Sequence, residues 1–360
     1  MTERCVALLG RPDTPTDAVE DYCRYLGGAL EEHGISLELM RVKWAEKGWH
    51  NALREVRKKV EEHPGSWFLV QYTALSWSRR GFPLRARKLI RFLNNHGARC
   101  AVVFHDASPY PGSRMIDRLR RTLQIYVMRH ALLLAELSVL TIPLENVPWI
   151  PRGPRNIVFI PVGANLPSPE KAWSVEKNRA DGTATLGVFS VSADSLGVIA
   201  QAVCHAAEKT GKLRLVVLGR NSVEAGMQLR VQLAGAPVQV VVHGLLAEDE
   251  IPRILGSCHA MLFTRGQISS RRGSAIAGIA CGLPVIAPEG SETAAPLTEA
   301  GVVLLPAGAK NEFGPALVRV LTDDAYRESL AERSRRAQQR YFSWSAIAAQ
   351  YAGAMRKKRD

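Results

Sequence analysis

Short apolar runs alternate with amphipathic stretches along almost the whole chain, and this alternation restricts the fold more than any other feature. Runs such as Trp67–Tyr72 and Leu213–Gly219 are short and mostly apolar, so they read as strands buried on both faces, as in a parallel sheet flanked by helices. In the first half the strand candidates are Cys5–Gly10, Ser36–Arg41, Trp67–Tyr72, Cys100–His105, Val139–Ile142 and Ile157–Pro161. Thr16–His33, Trp49–His63, Pro83–His96 and Arg114–Ala135 read as the helices between them. Pro143–Pro169 is rich in Pro, Gly and Asn, and Ser174–Thr183 is polar and charged, so a linker is expected there. The pattern then restarts with strands Thr185–Ser190, Leu213–Gly219, Val238–His243, Ala260–Phe263, Leu283–Ala287 and Gly301–Leu305. Its helices are Ser195–Thr210, Val223–Leu233, Ala247–Ser257, Arg272–Cys281, Phe313–Thr322, Asp324–Tyr341 and Trp344–Lys357. The expected architecture is α/β, with two doubly wound halves and a ligand cleft between the C-terminal ends of their sheets.

Composition sets the outer bounds. A chain of 360 residues, 46% hydrophobic and 22% charged, suits two globular domains and holds no apolar run approaching the ~20 residues of a membrane span. The start, Met1-Thr2-Glu3-Arg4, shows no signal-peptide pattern, and a cytoplasmic location is the expectation. The six cysteines are scattered without a C-x-x-C pair, so reduced, buried thiols are expected rather than zinc or a disulfide framework. The net charge of +13 needs a partner: nucleic acid, an anionic membrane face or a phosphorylated substrate. Residues 1–165 hold 24 Lys and Arg against 16 Asp and Glu, clustered at Arg54-Arg57-Lys58-Lys59, Arg79-Arg80, Arg85-Arg87-Lys88-Arg91 and Arg114-Arg118-Arg120-Arg121. Such clusters are often solvated helix faces, and they also suit weak attraction to anionic head groups, hence a peripheral membrane contact. No nucleic-acid signature accompanies the charge, so no specific nucleic-acid partner is expected.

The stretch Ser269–Val285 carries the chemistry. Arg271 and Arg272 fall where the helix should begin, and Cys281-Gly282 ends it at a glycine stop. Orphan N–H groups and the positive dipole end favour an anion there, and Ser269, Ser270, Gly273 and Ser274 add donors and room for close approach. A phosphate or diphosphate is the indicated guest; a solvated surface pair is the alternative. Strand ends also offer Ser190, His105 and Arg220, the last a further phosphate candidate.

The same residues resemble glycosyltransferase family 4, nucleotide-sugar enzymes of the GT-B fold with two Rossmann-like domains. Ala277–Cys281 followed by Gly282-Leu283-Pro284-Val285 is similar to the family's "EAMACGLPVV" element. Gly244-Leu245-Leu246-Ala247-Glu248-Asp249-Glu250-Ile251-Pro252 with Leu255 is similar to "G.ls.eel..ly..adv", and Gly301–Gly308 to "G.lv.pgd". Phe342-Ser343-Trp344 looks like the start of the tail that crosses back onto the N-terminal domain. In the first half, Asp17–Gly34, Val103-Phe104-His105-Asp106 and Ile160–Asn165 match more loosely and in order. The resemblance implies an acceptor-binding domain at residues 1–165, a nucleotide-sugar-binding domain at 166–342 and a returning helix at 343–360.

The departures are specific. The family's two glutamates, one for the donor sugar and one for the ribose, are Ser269 and Ala277 here. Its basic pair after the first strand of the second domain is replaced by Ser190-Val191-Ser192-Ala193-Asp194-Ser195, and its glycine pair near the first strand by Asp17-Ala18. Two explanations compete: Arg271 and Arg272 take over the diphosphate, or the site has decayed and the protein binds without catalysing.

On the first explanation the chain is a glycosyltransferase of polysaccharide biosynthesis. The resemblance implies a retaining hexosyltransferase that uses a nucleotide-diphosphate sugar as donor substrate, with no metal or other cofactor, on a glycan or lipid-linked acceptor. His105 would lie against the donor sugar with Asp106 orienting its ring. Arg271, Arg272, Gly273 and Ser274 would hold the diphosphate, Gly244 and Leu245 would offer backbone groups to the nucleobase, and Glu292 would reach a sugar hydroxyl. Ser190, Arg220 and Ser270 complete the expected donor site, and Asn165 reads equally as a turn residue. The competing class is a disabled sugar-nucleotide-binding or scaffolding protein.

Overall fold

A computed structural model describes residues 3–151, 153, 156–174 and 183–357. Residues 175–182, the polar part of the expected linker, lie outside the described residues. The chain divides into two compact units, Met1–Pro161 with Trp344–Asp360 and Val162–Ser343.

The first unit contains β1 (Glu3–Leu9), β2 (Ile35–Arg41), β3 (Trp67–Tyr72), β4 (Arg99–Phe104), β5 (Leu137–Leu140) and β6 (Ile157–Phe159). All pairs are parallel and the order is β2-β1-β3-β4-β5-β6. The helices are α1 (Ala18–Leu30), α2 (Trp44–Lys47), α3 (Trp49–Glu62), α4 (Leu84–Asn95) and α5 (Met115–Leu134). Every residue of β3 is buried, which is why it reads as an apolar run interrupted only by Gln71. The short α2 carries no recognisable sequence signal.

The second unit contains β7 (Ala184–Phe189), β8 (Leu213–Leu218), β9 (Val238–Gly244), β10 (Ala260–Leu262), β11 (Val285–Pro288) and β12 (Val302–Leu305). Its helices are α6 (Leu196–Thr210), α7 (Ser222–Gln232), α8 (Glu250–Gly256), α9 (Gly273–Ala280), α10 (Phe313–Thr322) and α11 (Asp324–Ala337). The order β12-β11-β10-β7-β8-β9 is the Rossmann order, with its switch point between β7 and β10, where crossovers leave in opposite directions. The doubly wound α/β expectation therefore holds in both units. Helix α8 starts three residues later than its expected Ala247. Ala247–Asp249 instead form a turn in which Ala247 N–H donates to the Glu250 carboxylate at 3.2 Å.

A π-helical turn at Gln338–Phe342 leads into α12 (Trp344–Arg356), which packs in the first unit. Trp344 stacks on Tyr25 at 5.7 Å between ring centroids, and the Tyr22 and Tyr351 hydroxyls share a 2.8 Å hydrogen bond. Burial pushes both phenols well above their ordinary pKa, so this pair stays protonated and joins α1 to α12.

Candidate functional site

Two loops flank the switch point of the second unit: Ser190–Ser195 after β7 and Phe263–Arg272 after β10. The second loop delivers the opening of α9. Gly273 is the first helical residue, and a Cβ placed there would meet nothing within 4 Å. The backbone in front of the helix is thus open to close approach. Ala275 and Ile276 donate to Arg272 O at 2.9 and 3.0 Å, so the N–H groups of Gly273 and Ser274 are the ones the first turn leaves over.

The other end of α9 explains why its length was legible. Gly282 has φ +68°, its N–H donates to Ile279 O at 2.9 Å, and Leu283 N–H donates to Gly278 O at 3.0 Å. That is a Schellman stop, and the left-handed backbone there suits glycine.

The two arginines have different surroundings. Arg271 forks onto Glu292, with Nε to Oε2 at 2.9 Å and Nη2 to Oε1 at 3.0 Å. Glu292 is buried, and its loop is tied to the Arg271 loop by Gln267, whose Oε1 accepts from Glu292 N–H at 3.3 Å. Thr293 Oγ1 donates to Ile268 O at 2.7 Å, adding a second tie. Glu292 is therefore the counter-ion of Arg271, a partner that the expected contact with a sugar hydroxyl did not include. The physical reason is proximity of opposite charges in a site that water hardly reaches. Arg272 sits at the N-cap and half-buried, with non-helical backbone. Ser269 is fully buried, and its Oγ has no hydrogen-bond partner among the described residues; the same holds for Thr264 Oγ1 in this loop. A buried hydroxyl lacking a partner costs about 1–3 kcal/mol, which a polar guest would offset.

The remaining second-unit candidates are arranged around these loops. Ser190 adopts φ +62° and spends its N–H on Leu218 O at 2.9 Å. Arg220 is half-buried at the end of β8, and its carbonyl accepts from Val191 N–H at 3.5 Å. Gly244 has φ +69° and its carbonyl accepts from Gly219 N–H at 2.7 Å, so that carbonyl is already engaged in joining β8 to β9. Leu245 is 57% exposed. Ser270 is buried and its carbonyl accepts from Val162 N–H at 3.0 Å.

In the first unit His105 follows the last residue of β4. Gln71 Nε2 donates to Leu69 O at 3.3 Å, which fixes the amide so that Oε1 faces His105 Nε2 at 2.8 Å. An amide oxygen only accepts, so Nε2 carries the imidazole proton and Nδ1 keeps the lone pair. Gln71 thus orients the ring. Asp106 accepts from Ala74 N–H at 3.3 Å and shapes the loop after β3. Gln71 escaped the sequence reading because a lone amide inside an apolar strand carries no motif. Tyr22 meets the imidazole edge-on at 4.9 Å, and burial lowers the His105 pKa to about 4.

The sign follows from linkage. Between pH ~6.5, the unfolded value, and about 4, the unfolded chain binds a proton at this position that the folded chain refuses, so its contribution falls as pH drops through that window. The Tm difference between wild type and His105→Gln is expected to shrink from pH 7 to pH 4.5 when both are melted in parallel; a constant difference would contradict the neutral imidazole.

The replaced glycine pair also has an explanation. Asp17 caps α1, accepting from Val19 and Glu20 N–H at 3.2 and 3.4 Å, and Arg41 donates to it at 3.0 Å. A carboxylate already occupies the anion position at that helix start.

Residues 183–323 match the family model described as glycosyl transferases group 1. No curated protein sequence matches the chain. Among solved structures the chain is similar to sucrose-phosphate synthase from Thermosynechococcus elongatus, at 17% identity and TM-score 0.70, over 99% of this chain and 98% of that one. It is similar to a glycosyltransferase from Rickettsia africae at 12% identity and TM-score 0.69, over 100% and 99% of the two chains. It is also similar to the Anabaena protein HepE, solved with UDP and glucose, at 16% identity and TM-score 0.65, over 99% and 100%. These structures share with it the GT-B fold of two Rossmann-like units.

Proposed function

We propose, for a GT-B chain whose residues 183–323 match the model of the group 1 glycosyl transferases, that it moves a sugar from a nucleotide-diphosphate donor to a glycan or lipid-linked acceptor. The observation that carries this reading is Arg272 with the open first turn of α9 at the switch point of a Rossmann sheet. UDP is the nucleotide proposed, on the analogy of the UDP-bound structures with the same fold.

In the proposed reaction the bond between the anomeric carbon and the diphosphate oxygen breaks, and the departing diphosphate gains negative charge. Arg272 and the N–H groups of Gly273 and Ser274 receive that charge, and this preorganised cation replaces a metal. The acceptor hydroxyl enters on the face the diphosphate leaves, which retains configuration, and its proton passes to the departing phosphate oxygen. Arg271, held by Glu292, fixes the loop that presents Arg272. His105, neutral with Nδ1 bare, suits a hydroxyl that donates to it, and a hexose hydroxyl is the one proposed.

The test is release of nucleoside diphosphate from a panel of nucleotide sugars. Turnover with a UDP-hexose, sensitive to Arg272→Ala, is expected. Binding without turnover, indifferent to that substitution, would favour the second reading, a disabled binding protein, which the Arg271–Glu292 pairing supports by occupying one of the two arginines.

A peripheral membrane contact in the cytoplasm forms part of the proposal. Among the described residues no helix is long and apolar enough to cross a membrane. The first turns of α5 expose Met115, Ile116 and Leu119 beside Arg114 and Arg118, a basic and apolar surface suited to an anionic leaflet. The protein is expected to pellet with phosphatidylglycerol vesicles at 50 mM salt and to be released near 500 mM; binding that ignores both salt and Arg118→Glu would remove this part.

A further inference from the structure

We propose that a basic cavity of the first unit, at the C-terminal edge of its sheet, binds a phosphate or diphosphate group carried by the acceptor. The cavity opens to solvent, has a volume of about 440 Å³ and is lined by Trp44, Ser78, Arg79, Arg80, Phe82 and Arg85 among others, with no Asp or Glu among the described residues of its wall. It lies outside the candidate donor site, and the inference rests on the transferase reading only in calling the ligand an acceptor.

Hydrogen bonds fix the backbone of its wall, from which Arg79 and Arg80 present exposed side chains and Arg85 a half-buried one. Ser76 O accepts from Arg11 N–H at 2.8 Å and from the Trp44 indole N–H at 2.9 Å, which fixes the loop after β3 against the segment after β2. Gly10 is required beside it, because a Cβ there would lie 2.4 Å from the same carbonyl. Ser78 Oγ accepts from Arg80 N–H at 3.2 Å and from Phe82 N–H at 2.9 Å, closing the turn that carries two of the arginines. Arg79 Nη2 donates to Ala45 O at 3.2 Å, and the Arg85 guanidinium lies 4.3 Å over the Trp44 ring. From the far side Arg120 Nε donates to Arg80 O at 3.0 Å.

These contacts hold the Arg79 and Arg85 guanidinium groups against neutral partners, and the closed turn that carries Arg80 brings a third cation to the same wall. Like charges gathered without a carboxylate repel one another, and a multiply charged anion converts that repulsion into attraction. Guanidinium forks match phosphate oxygens, and the volume accommodates a diphosphate with the first atoms of the group it carries. The Trp44 and Phe82 rings supply an apolar wall for a prenyl chain or the face of a sugar. The carrier is thus a lipid diphosphate or a soluble sugar phosphate, which share the recognised chemistry.

Trp44 makes the site its own reporter. The full chain would be titrated with inorganic pyrophosphate, farnesyl diphosphate in detergent micelles and glucose 6-phosphate, following tryptophan fluorescence. Saturable changes are expected that vanish in Trp44→Phe, and the affinity should fall at least about tenfold in Arg80→Ala/Arg85→Ala. Arg80→Ala alone, at an exposed side chain, should show a smaller fall in the same direction and guards against misfolding of the double variant. Tighter binding of farnesyl diphosphate than of glucose 6-phosphate assigns the lipid carrier, and the reverse assigns a soluble one. Equal affinity of wild type and both arginine variants for all three phosphates overturns the proposal. UDP binding, measured separately, should be untouched by these substitutions. If wild type fails to bind UDP, the transferase reading falls while the phosphate titration still decides the cavity.

Discussion

Replacing Arg272 with alanine is expected to slow nucleoside-diphosphate release by about 10²–10³-fold, whereas Arg271→Ala should unfold the protein more easily. The two neighbours differ because of what they touch. Arg272 sits at the N-cap of α9 beside open backbone, so its guanidinium is proposed to meet charge that develops only as the diphosphate leaves. Arg271 meets Glu292 through two hydrogen bonds, with side-chain exposures of 16% and 4%. Removing it strands a buried carboxylate without its guanidinium, at a cost of about 3–5 kcal/mol. Denaturant unfolding of the single variants and of Arg271→Met/Glu292→Leu separates the effects. The double variant should recover much of the lost stability, since two apolar groups no longer need compensation. Recovery of stability without recovery of turnover would assign Arg271 a part in shaping the loop as well. Equal stability of wild type and Arg271→Ala would refute the pairing as a structural tie.

Gly301→Ala should be the most damaging single methyl in the second unit. Gly301 leads into β12, and a Cβ on it would fall 1.8 Å from Leu330 O and 2.6 Å from Ser334 Oγ. Both partners belong to α11 and are buried, and Ser334 Oγ donates to Leu283 O at 2.7 Å. The colliding atom is backbone, so no rotamer change relieves it and α11 must move. Because α11 also packs on α9, the damage reaches the candidate diphosphate site. A loss of about 3 kcal/mol or more is expected from denaturant unfolding, at or beyond the upper end of ordinary overpacking. Gly28→Ala in α1, where a Cβ would meet nothing within 4 Å, should instead stabilise by about 0.5–1 kcal/mol. A mild Gly301→Ala would show that α11 can shift freely, contrary to its packing.

Much of the fold could be read along the chain because parallel strands buried on both faces write themselves as apolar runs, as β3 and β8 do. Helix ends were legible where a single residue decides them, as Gly282 does for α9. The glycine-stopped helix and the arginines before it located the candidate site for the same reason: the information is local. Partners distant in sequence left no such trace. Glu292 lies 21 positions from Arg271, and nothing in either segment announces that they pair. Gln71 fixes the tautomer of His105 from 34 positions away, and Arg41 meets the Asp17 cap of α1 from 24 positions away.

The sequence by itself determined the two Rossmann-like sheets, the position of α9 and the concentration of cations at its start, because propensity, periodicity and capping act over a few residues. Tertiary contacts alone set the pairing of Arg271 with Glu292, the nitrogen of His105 that is bare, and the gathering of three first-unit arginines along one cavity. Those outcomes depend on charges and hydrogen-bonding groups brought together by loops from different strands, and their energies exist only once the chain has closed around them.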